Sequence, residues 1–179
     1  YDSMQHCWAT TGFAEYVQAR AFAEPERSFA YWEDHYCSAY GAAADAVKRY
    51  YRYWREELWE KRLLGSSLVT SDRPWMFKQR LMGALSEYYR AEDFDKTDAI
   101  LAAPGAVLSD AERARLGRLA LANQHARLIF TAAVTPEPEK YKHALALLAF
   151  REKHREALKS LLGHAEGQET PAKKTGRPL

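Results

Sequence analysis

Residues that break helices are scarce in this chain of 179 residues, which contains nine glycines and seven prolines. Alanine, leucine, arginine and glutamate, which favour helices, are abundant. After Trp8 there is no convincing run of alternating residues of the kind that forms a strand. The scarcity of breakers therefore predicts a mainly helical protein.

Cysteines, long apolar runs and an excess of one charge are also lacking. Cys7 and Cys37 are too few for a disulfide framework or a metal cluster; they are interpreted as small buried side chains, with a bridge between them as the alternative. No apolar run approaches the roughly 20 residues that cross a bilayer, so no membrane span is predicted. The 26 basic and 24 acidic residues nearly cancel, which argues against a nucleic-acid-binding surface.

Apolar side chains recur at three- and four-residue steps along most of the chain. The pattern predicts helices over about 11–23, 28–40, 42–62, 75–89, 94–101, 109–130 and 140–162. Ser28 is placed to cap the second helix, and Gly41 to end it in a left-handed conformation. Ser109 and Glu112 form a capping-box pattern at the sixth. In the last helix, the candidates for burial are Tyr141, Leu145, Leu148 and Leu158.

Aromatic residues make up 13% of the chain, and many of them fall on the second and third predicted helices. At helical spacing they favour a packed core, with a ligand groove as the alternative. The stripe consists of Trp32, Tyr36, Tyr40, Tyr50, Tyr51 and Trp54.

Groupings that carry chemistry are few. Neighbouring acids at 33–34, 56–57 and 93–95 point to different sides of a helix and are interpreted as surface pairs. His143 and His154 are about three turns apart, too far to share one metal. Glu-x-x-His, a glycine-rich phosphate loop, a nucleophile elbow and zinc-ligand spacing do not occur. The sequence therefore predicts no catalytic residue, no metal ligand and no cofactor.

The opening run, residues 1–8, looks like the interior of a protein, because it is rich in apolar and functional side chains. This favours the interpretation that the chain is a piece of a larger protein. In an extended run Asp2, His6 and Trp8 would face one side. A carboxylate and an imidazole can bind sugar hydroxyls while an indole stacks on the ring, so these three residues are the candidate substrate contacts. A purely structural role is the alternative.

The stretch 2–12 with Tyr16, and the stretch 34–44 followed by Tyr50 and Tyr51, resemble the C-terminal region of a bacterial family known as domain of unknown function 4838. Its members are similar to glycoside hydrolases of the alpha-glucuronidase kind, with a (β/α)8 barrel and a helical C-terminal domain. One departure is Phe22, where the family commonly has tryptophan. The resemblance implies that the catalytic carboxylates lie on upstream barrel strands.

Together these observations predict an all-α, multi-helix C-terminal domain that carries the edge of a (β/α)8 barrel at its N-terminus. Residues 1–25 would be the last barrel strand and helix, 26–163 the helical domain, and 164–179 a disordered tail. The expected function is helical support for a carbohydrate-active barrel that binds poly- or oligosaccharides, and export of the parent protein stays open. The alternative is a free-standing helical module that binds another protein.

The two functions predict different surfaces. A supporting domain should expose apolar side chains around residues 1–22, where the missing barrel would pack. A free-standing binding module should expose them on the later helices.

Overall fold

The computed structural model of the protein describes residues 8–73 and 76–162, and within these ranges every regular element is a helix. The predicted all-α class is confirmed. The α-helices are α1 (Trp8–Ala23), α2 (Phe29–Ser38), α3 (Ala44–Tyr53), α4 (Phe77–Gly83), α5 (Leu85–Tyr88), α6 (Ala91–Ala102), α7 (Asp110–Val134), α8 (Glu139–Lys153) and α9 (Arg155–Leu162). A 3-10 turn (Gly41–Ala43) precedes α3, and a π-helix (Trp54–Leu63) continues it.

At the start of the described chain the structure has a helix where the sequence predicted a barrel strand ending at about Trp8. Trp8 is the first residue of α1, and residues 1–7 lie outside the described part. The helix begins one turn before the predicted start at Thr11, and α1 packs on α2, α7 and α9. The extended-run geometry that would align Trp8 with the residues before it does not apply to a helical Trp8.

Two helix ends follow the local signals. The Ser28 side chain accepts a hydrogen bond from the Tyr31 backbone N–H and caps α2. The Ser109 side chain accepts one from the Glu112 backbone N–H, while the Glu112 carboxylate accepts from the Ser109 N–H, which completes the predicted capping box at α7. Both caps satisfy backbone donors that a helix start leaves free.

Gly41 begins the 3-10 turn with the positive φ of 58° that was predicted from its position. A Cβ atom at this residue would lie 1.9 Å from Oε1 of Glu112. The same Oε1 accepts a hydrogen bond of 2.8 Å from the Ala42 backbone N–H. The glycine therefore lets the α2–α3 turn close onto the start of α7.

Three predicted helices are divided in the structure. The helix expected over 42–62 changes from α to π geometry at Trp54. The helix expected over 75–89 is broken at Ala84, and the one expected over 140–162 is broken at His154. Apolar periodicity continues through all three breaks, so the pattern alone does not reveal them.

The hydrophobic core lies where α3 meets α1, α2, α6 and α7. Its buried members are Phe13, Cys37, Ala43, Val47, Tyr50, Tyr51, Leu101, Leu108, Leu116 and Leu119. A smaller cluster of Leu58, Leu63 and Leu68 lies beneath the loop that follows the π-helix. In contrast, α8 packs on α7 without contributing a single buried residue.

Candidate functional site

Of the three residues predicted to contact substrate, only Trp8 lies within the described part of the chain. Asp2 and His6 lie outside the described residues, as does Cys7. Trp8 is described only by its helical backbone. The predicted contacts therefore stay a prediction, and the polar groups that the structure does bring together lie elsewhere.

A buried carboxylate on α2 forms the first of these polar groups. Glu33 is 1% exposed and accepts hydrogen bonds from Arg52 Nε and Nη2 at 2.9 and 2.7 Å. Arg55 Nη1 donates to its other oxygen at 3.1 Å, and Lys48 Nζ lies 4.0 Å away. The α2 helix is thus tied by one acid to α3 and to the π-helix. We call Glu33, Arg52 and Arg55 the Glu33 clamp.

A second buried carboxylate sits at the first turn of α6. Asp93 is 2% exposed and accepts two hydrogen bonds of 2.6 Å from the Arg62 guanidinium and one of 2.8 Å from Tyr53 Oη. It also accepts from the Arg90 backbone N–H. Burial alone would raise the pKa of Asp93, but these hydrogen bonds outweigh it and hold the pKa below its ordinary value. We call Asp93, Arg62 and Tyr53 the Asp93 clamp.

The π-helix explains how one segment serves both clamps. Arg55 and Arg62 are seven residues apart, a spacing that places two side chains on nearly the same side of an α-helix. Here the hydrogen bonds span five residues, as from Leu64 N–H to the Trp59 carbonyl at 2.8 Å, and each residue turns the helix less. The two arginines therefore point apart, one towards α2 and the other towards α6.

A buried amide joins α3, α6 and α7. Asn123 is 1% exposed, and its Nδ2 donates to Thr97 Oγ1 at 3.1 Å and to Asp98 Oδ1 at 2.7 Å. Its Oδ1 accepts from Tyr50 Oη at 3.2 Å. Since each polar atom of the Asn123 side chain has a partner, the network stabilises the packing of three helices.

These buried acids are poor candidates for acid–base chemistry. A general acid or base needs a pKa near the working pH and access to a substrate, whereas Asp93 has a lowered pKa and both acids are enclosed by arginine. The prediction that the acid pairs lie at the surface is wrong for Glu33 and Asp93, although Asp34 and Asp95 are exposed. Arg52 lies 19 residues after Glu33 and Arg62 lies 31 residues before Asp93, so no local spacing in the sequence marked these pairs.

The aromatic stripe is confirmed as core rather than groove. Trp32, Tyr50 and Tyr51 are buried, and Tyr36, Tyr40 and Trp54 pack against the core as partly buried residues. Burial raises the pKa of all the tyrosines in the stripe for which a shift is resolved: Tyr40, Tyr50 and Tyr51.

Cys37 is free and buried in the same core. Burial and, secondarily, the nearby Glu33 carboxylate raise the pKa of the thiol to about 12. The thiolate, the reactive form, is therefore not populated near neutral pH.

A cluster of aromatic and basic side chains lies at the surface between α1 and α2. The rings of Tyr16 and His35 stack at 5.9 Å, and Tyr16 Oη is hydrogen-bonded to His35 Nδ1. Arg20 lies over the rings of Tyr16 and Trp32 at 5.4 and 5.6 Å. Trp32 Nε1 is buried without a hydrogen-bond acceptor, but the indole ring meets Tyr31 edge to face at 4.7 Å. These contacts serve to join the two helices.

Large apolar side chains are exposed in several places, and two of these bear on the predicted functions; the others are Trp59, Leu64, Met82 and Val107. Near the α1–α2 connection, Phe22 is 78% exposed, and Phe29 and Tyr31 are partly exposed. On α8, three side chains that were predicted to be buried are exposed, namely Tyr141 at 66%, Leu145 at 47% and Leu148 at 52%. That prediction is wrong because the inner side of α8 is formed by other residues, including Phe150, which stacks on His125 of α7.

A polar contact also holds α8 on α7. Arg151 Nε donates to His125 Nε2 at 3.0 Å, which fixes the histidine as neutral with its proton on Nδ1. Burial and the Arg151 charge lower the pKa of His125 to about 4. The hydrogen bond from Arg151 to His125 is thus formed only while His125 is uncharged.

Among the described residues there is no group of three or more potential metal ligands, and none of the helices there is long and apolar enough to cross a bilayer. Comparison of the chain with models of known protein families, with curated proteins and with solved structures gave no match. The resemblance to domain of unknown function 4838 accordingly stays a prediction.

Proposed function

We propose that the chain is the helical support domain of a larger, carbohydrate-active protein of the glycoside-hydrolase type, whose catalytic carboxylates lie upstream on a (β/α)8 barrel. The observation that carries this proposal is the exposure of Phe22 at 78%, beside Phe29 and Tyr31 at the α1–α2 connection. This is the region where the resemblance expects the barrel to pack. Burying a phenylalanine side chain contributes about 1.5 to 3 kcal/mol to stability. Packing against a barrel would therefore explain why this exposed position carries an apolar residue.

The engagement of the buried acids agrees with a supporting role. Glu33 and Asp93 each accept hydrogen bonds from arginines that lie on a different helix. The hydrogen bonds of these two carboxylates hold helices together. In this proposal Asp2, His6 and Trp8 contact the saccharide, while catalysis belongs to the barrel.

The reading frame upstream of Tyr1 provides the first test. A barrel-length segment with acidic residues at the ends of two strands supports the proposal, and a start codon immediately before Tyr1 sinks it. If the barrel is present, Phe22→Glu in the parent protein should lower the stability of the barrel with the helical domain. Val107→Glu, at a loop position that is even more exposed, should not.

The face of α8 favours a second candidate function, a helical module that binds another protein. Tyr141, Leu145 and Leu148 lie on a single helix, and each is exposed by 47% or more. Two variants separate the functions, since a module that binds through α8 loses its partner with Leu145→Glu and keeps it with Phe22→Glu.

A further inference from the structure

One tyrosine at the surface is hydrogen-bonded to a base. Tyr16 Oη lies 2.5 Å from His35 Nδ1, and the two rings stack with 13° between their planes. His35 is exposed and Tyr16 is partly buried, so solvent reaches the pair. Since a phenol O–H is a stronger acid than the N–H of neutral imidazole, Tyr16 donates and Nδ1 accepts. The imidazole nitrogen is therefore placed to take up the phenol proton.

The neighbouring side chains hold this arrangement and add a positive charge to it. The His35 ring meets the Trp32 ring edge to face at 5.9 Å, and Trp32 meets Tyr16 in the same way at 6.3 Å. Trp32 is only 3% exposed, so it is a fixed support for both rings. Arg20 Cζ lies 5.4 Å from the centre of the Tyr16 ring. Its charge favours the negative charge that develops on a phenol oxygen as the proton leaves.

Tyr16 differs from the tyrosines in the buried networks. Tyr50 donates to the amide of Asn123, and Tyr53 donates to the carboxylate of Asp93. Burial raises the pKa of both phenols, so these two keep their protons and serve as hydrogen-bond donors. A phenol that solvent reaches and that is hydrogen-bonded to an imidazole has instead the arrangement of a nucleophile with its base.

We infer that Tyr16 is a nucleophilic phenol and a site of covalent acylation, with His35 as its base and an activated ester as the class of acyl donor. In this step Tyr16 Oη attacks the carbonyl carbon of the donor and forms a new ester bond. The bond between that carbon and the leaving oxygen breaks, and the leaving group departs with the electron pair. The phenol proton passes to His35 Nδ1 and from there to solvent.

The inference goes beyond the support function and does not rest on it. The side chains proposed to meet the barrel are Phe22, Phe29 and Tyr31, whereas acylation uses Tyr16 and His35. An unreactive Tyr16 would leave the barrel proposal untouched. The absence of an upstream barrel would in turn leave the reactivity of Tyr16 untouched.

Acetylation by p-nitrophenyl acetate at neutral pH tests the inference on the full 179-residue chain. Tandem mass spectrometry of the digested chain measures the rate at which each tyrosine gains an acetyl group. Tyr16 should be acetylated at least tenfold faster than Tyr141, although Tyr141 is 66% exposed and Tyr16 is partly buried. This comparison is made within the wild-type chain, so it does not depend on the folding of any variant.

Variants of the histidine separate a base from a residue that only positions the ring. His35→Phe keeps an aromatic ring in the stack but has no base, so acetylation of Tyr16 should slow at least tenfold. His35→Gln can still accept the phenol hydrogen bond through its amide oxygen but cannot take up the proton, so it should be as slow. Arg20→Gln should slow the reaction by a smaller factor. His143→Gln, on α8, is the matched control and should react as the wild type does.

Three results would overturn the inference. They are acetylation of Tyr16 no faster than that of Tyr141, a wild-type rate in His35→Gln, and a loss in His143→Gln equal to that in His35→Gln. The second result would leave His35 as a structural partner of the Tyr16 ring. Far-ultraviolet circular dichroism should show the same helix content in the wild type and in all four variants.

Discussion

The helices packed around α3, namely α1, α2, α6 and α7, form the body of the protein. This body and the peripheral helix α8 are stabilised in different ways. In the body, α3 buries Ala46, Val47, Tyr50 and Tyr51, and two arginine–carboxylate clamps join the helices around it. In α8 no residue is buried, and it packs on α7 through Phe150, which stacks on His125, and through the hydrogen bond from Arg151 to His125. The difference shows that α8 is not needed to build the core, which is why its outer face is free to carry an apolar stripe.

Breaking a clamp should give the largest loss of stability. Arg62→Ala leaves the Asp93 carboxylate buried without its main partner, so the free energy of unfolding should fall by about 3 to 5 kcal/mol. Urea denaturation followed by circular dichroism measures this. The control is Lys61→Ala, at the residue next to Arg62. It removes an exposed ion pair with Glu57 and should have a far smaller effect. Equal losses would show that the Asp93 clamp does not hold the body together.

The buried amide of the body should rank next. Asn123→Ala leaves Tyr50, Thr97 and Asp98 without their common partner, and we expect a loss of about 2 to 3 kcal/mol in the free energy of unfolding. The neighbouring Gln124 is exposed, so Gln124→Ala in the same denaturation experiment should change little. A neutral Asn123→Ala would mean that the network adds nothing to the packing of α3, α6 and α7.

The α8 contact should respond to pH. The pKa of His125 is lowered in the folded state from 6.5 to about 4, so the unfolded chain binds more protons between these values and stability falls as the pH falls through this window. The difference corresponds to at most about 3 kcal/mol, and with screening at the edge of the fold we expect about 1 to 2 kcal/mol. Denaturation of the wild-type chain and of His125→Gln at pH 7 and pH 4.5 measures it. The account is wrong on this point if the variant keeps the full pH dependence.

The turn between α2 and α3 should show a smaller effect. Gly41→Ala forces an alanine into a positive φ and against Glu112, and the backbone strain alone costs about 1 to 2 kcal/mol. Gly65→Ala is the matched control because a Cβ there meets nothing within 4 Å. Thermal unfolding should rank Gly41→Ala below both the wild type and Gly65→Ala. If the two variants melt together, the turn does not require the glycine.

The smallest expected effect is on the outer face of α8. Leu145 is 47% exposed, so Leu145→Glu should change the free energy of unfolding by less than about 0.5 kcal/mol. A loss comparable to that of Asn123→Ala would place Leu145 in the core and remove the contrast between α8 and the body.

Local signals in the sequence predicted much of the fold. Helical periodicity predicted the all-α class, and Ser28, Ser109 and Glu112 marked the starts of α2 and α7. Gly41 has the predicted positive φ, although α2 ends earlier, at Ser38. Caps and left-handed turns were predictable because they depend on residues close in the chain. Helix divisions were not predictable in this way. The change to π geometry at Trp54 is set by partners on α2 and α6, which are distant in sequence.

The candidate sites show the same limit. A short-range pattern cannot tell a buried acid from an exposed one, so Glu33 and Asp93 were placed at the surface, and Tyr141, Leu145 and Leu148 in the core. In each case the side chain's environment is decided by which other helix it faces. Asp2 and His6 lie outside the described residues, so the substrate contacts proposed for them are tested only by mutation in the parent protein.

Hydrogen exchange of the amides of α8 and α3, measured by mass spectrometry, tests the central claim most directly. We predict that α8 exchanges faster than α3, because no side chain of α8 is buried whereas α3 buries Ala46, Val47, Tyr50 and Tyr51. Protection of α8 equal to that of α3 would contradict the account.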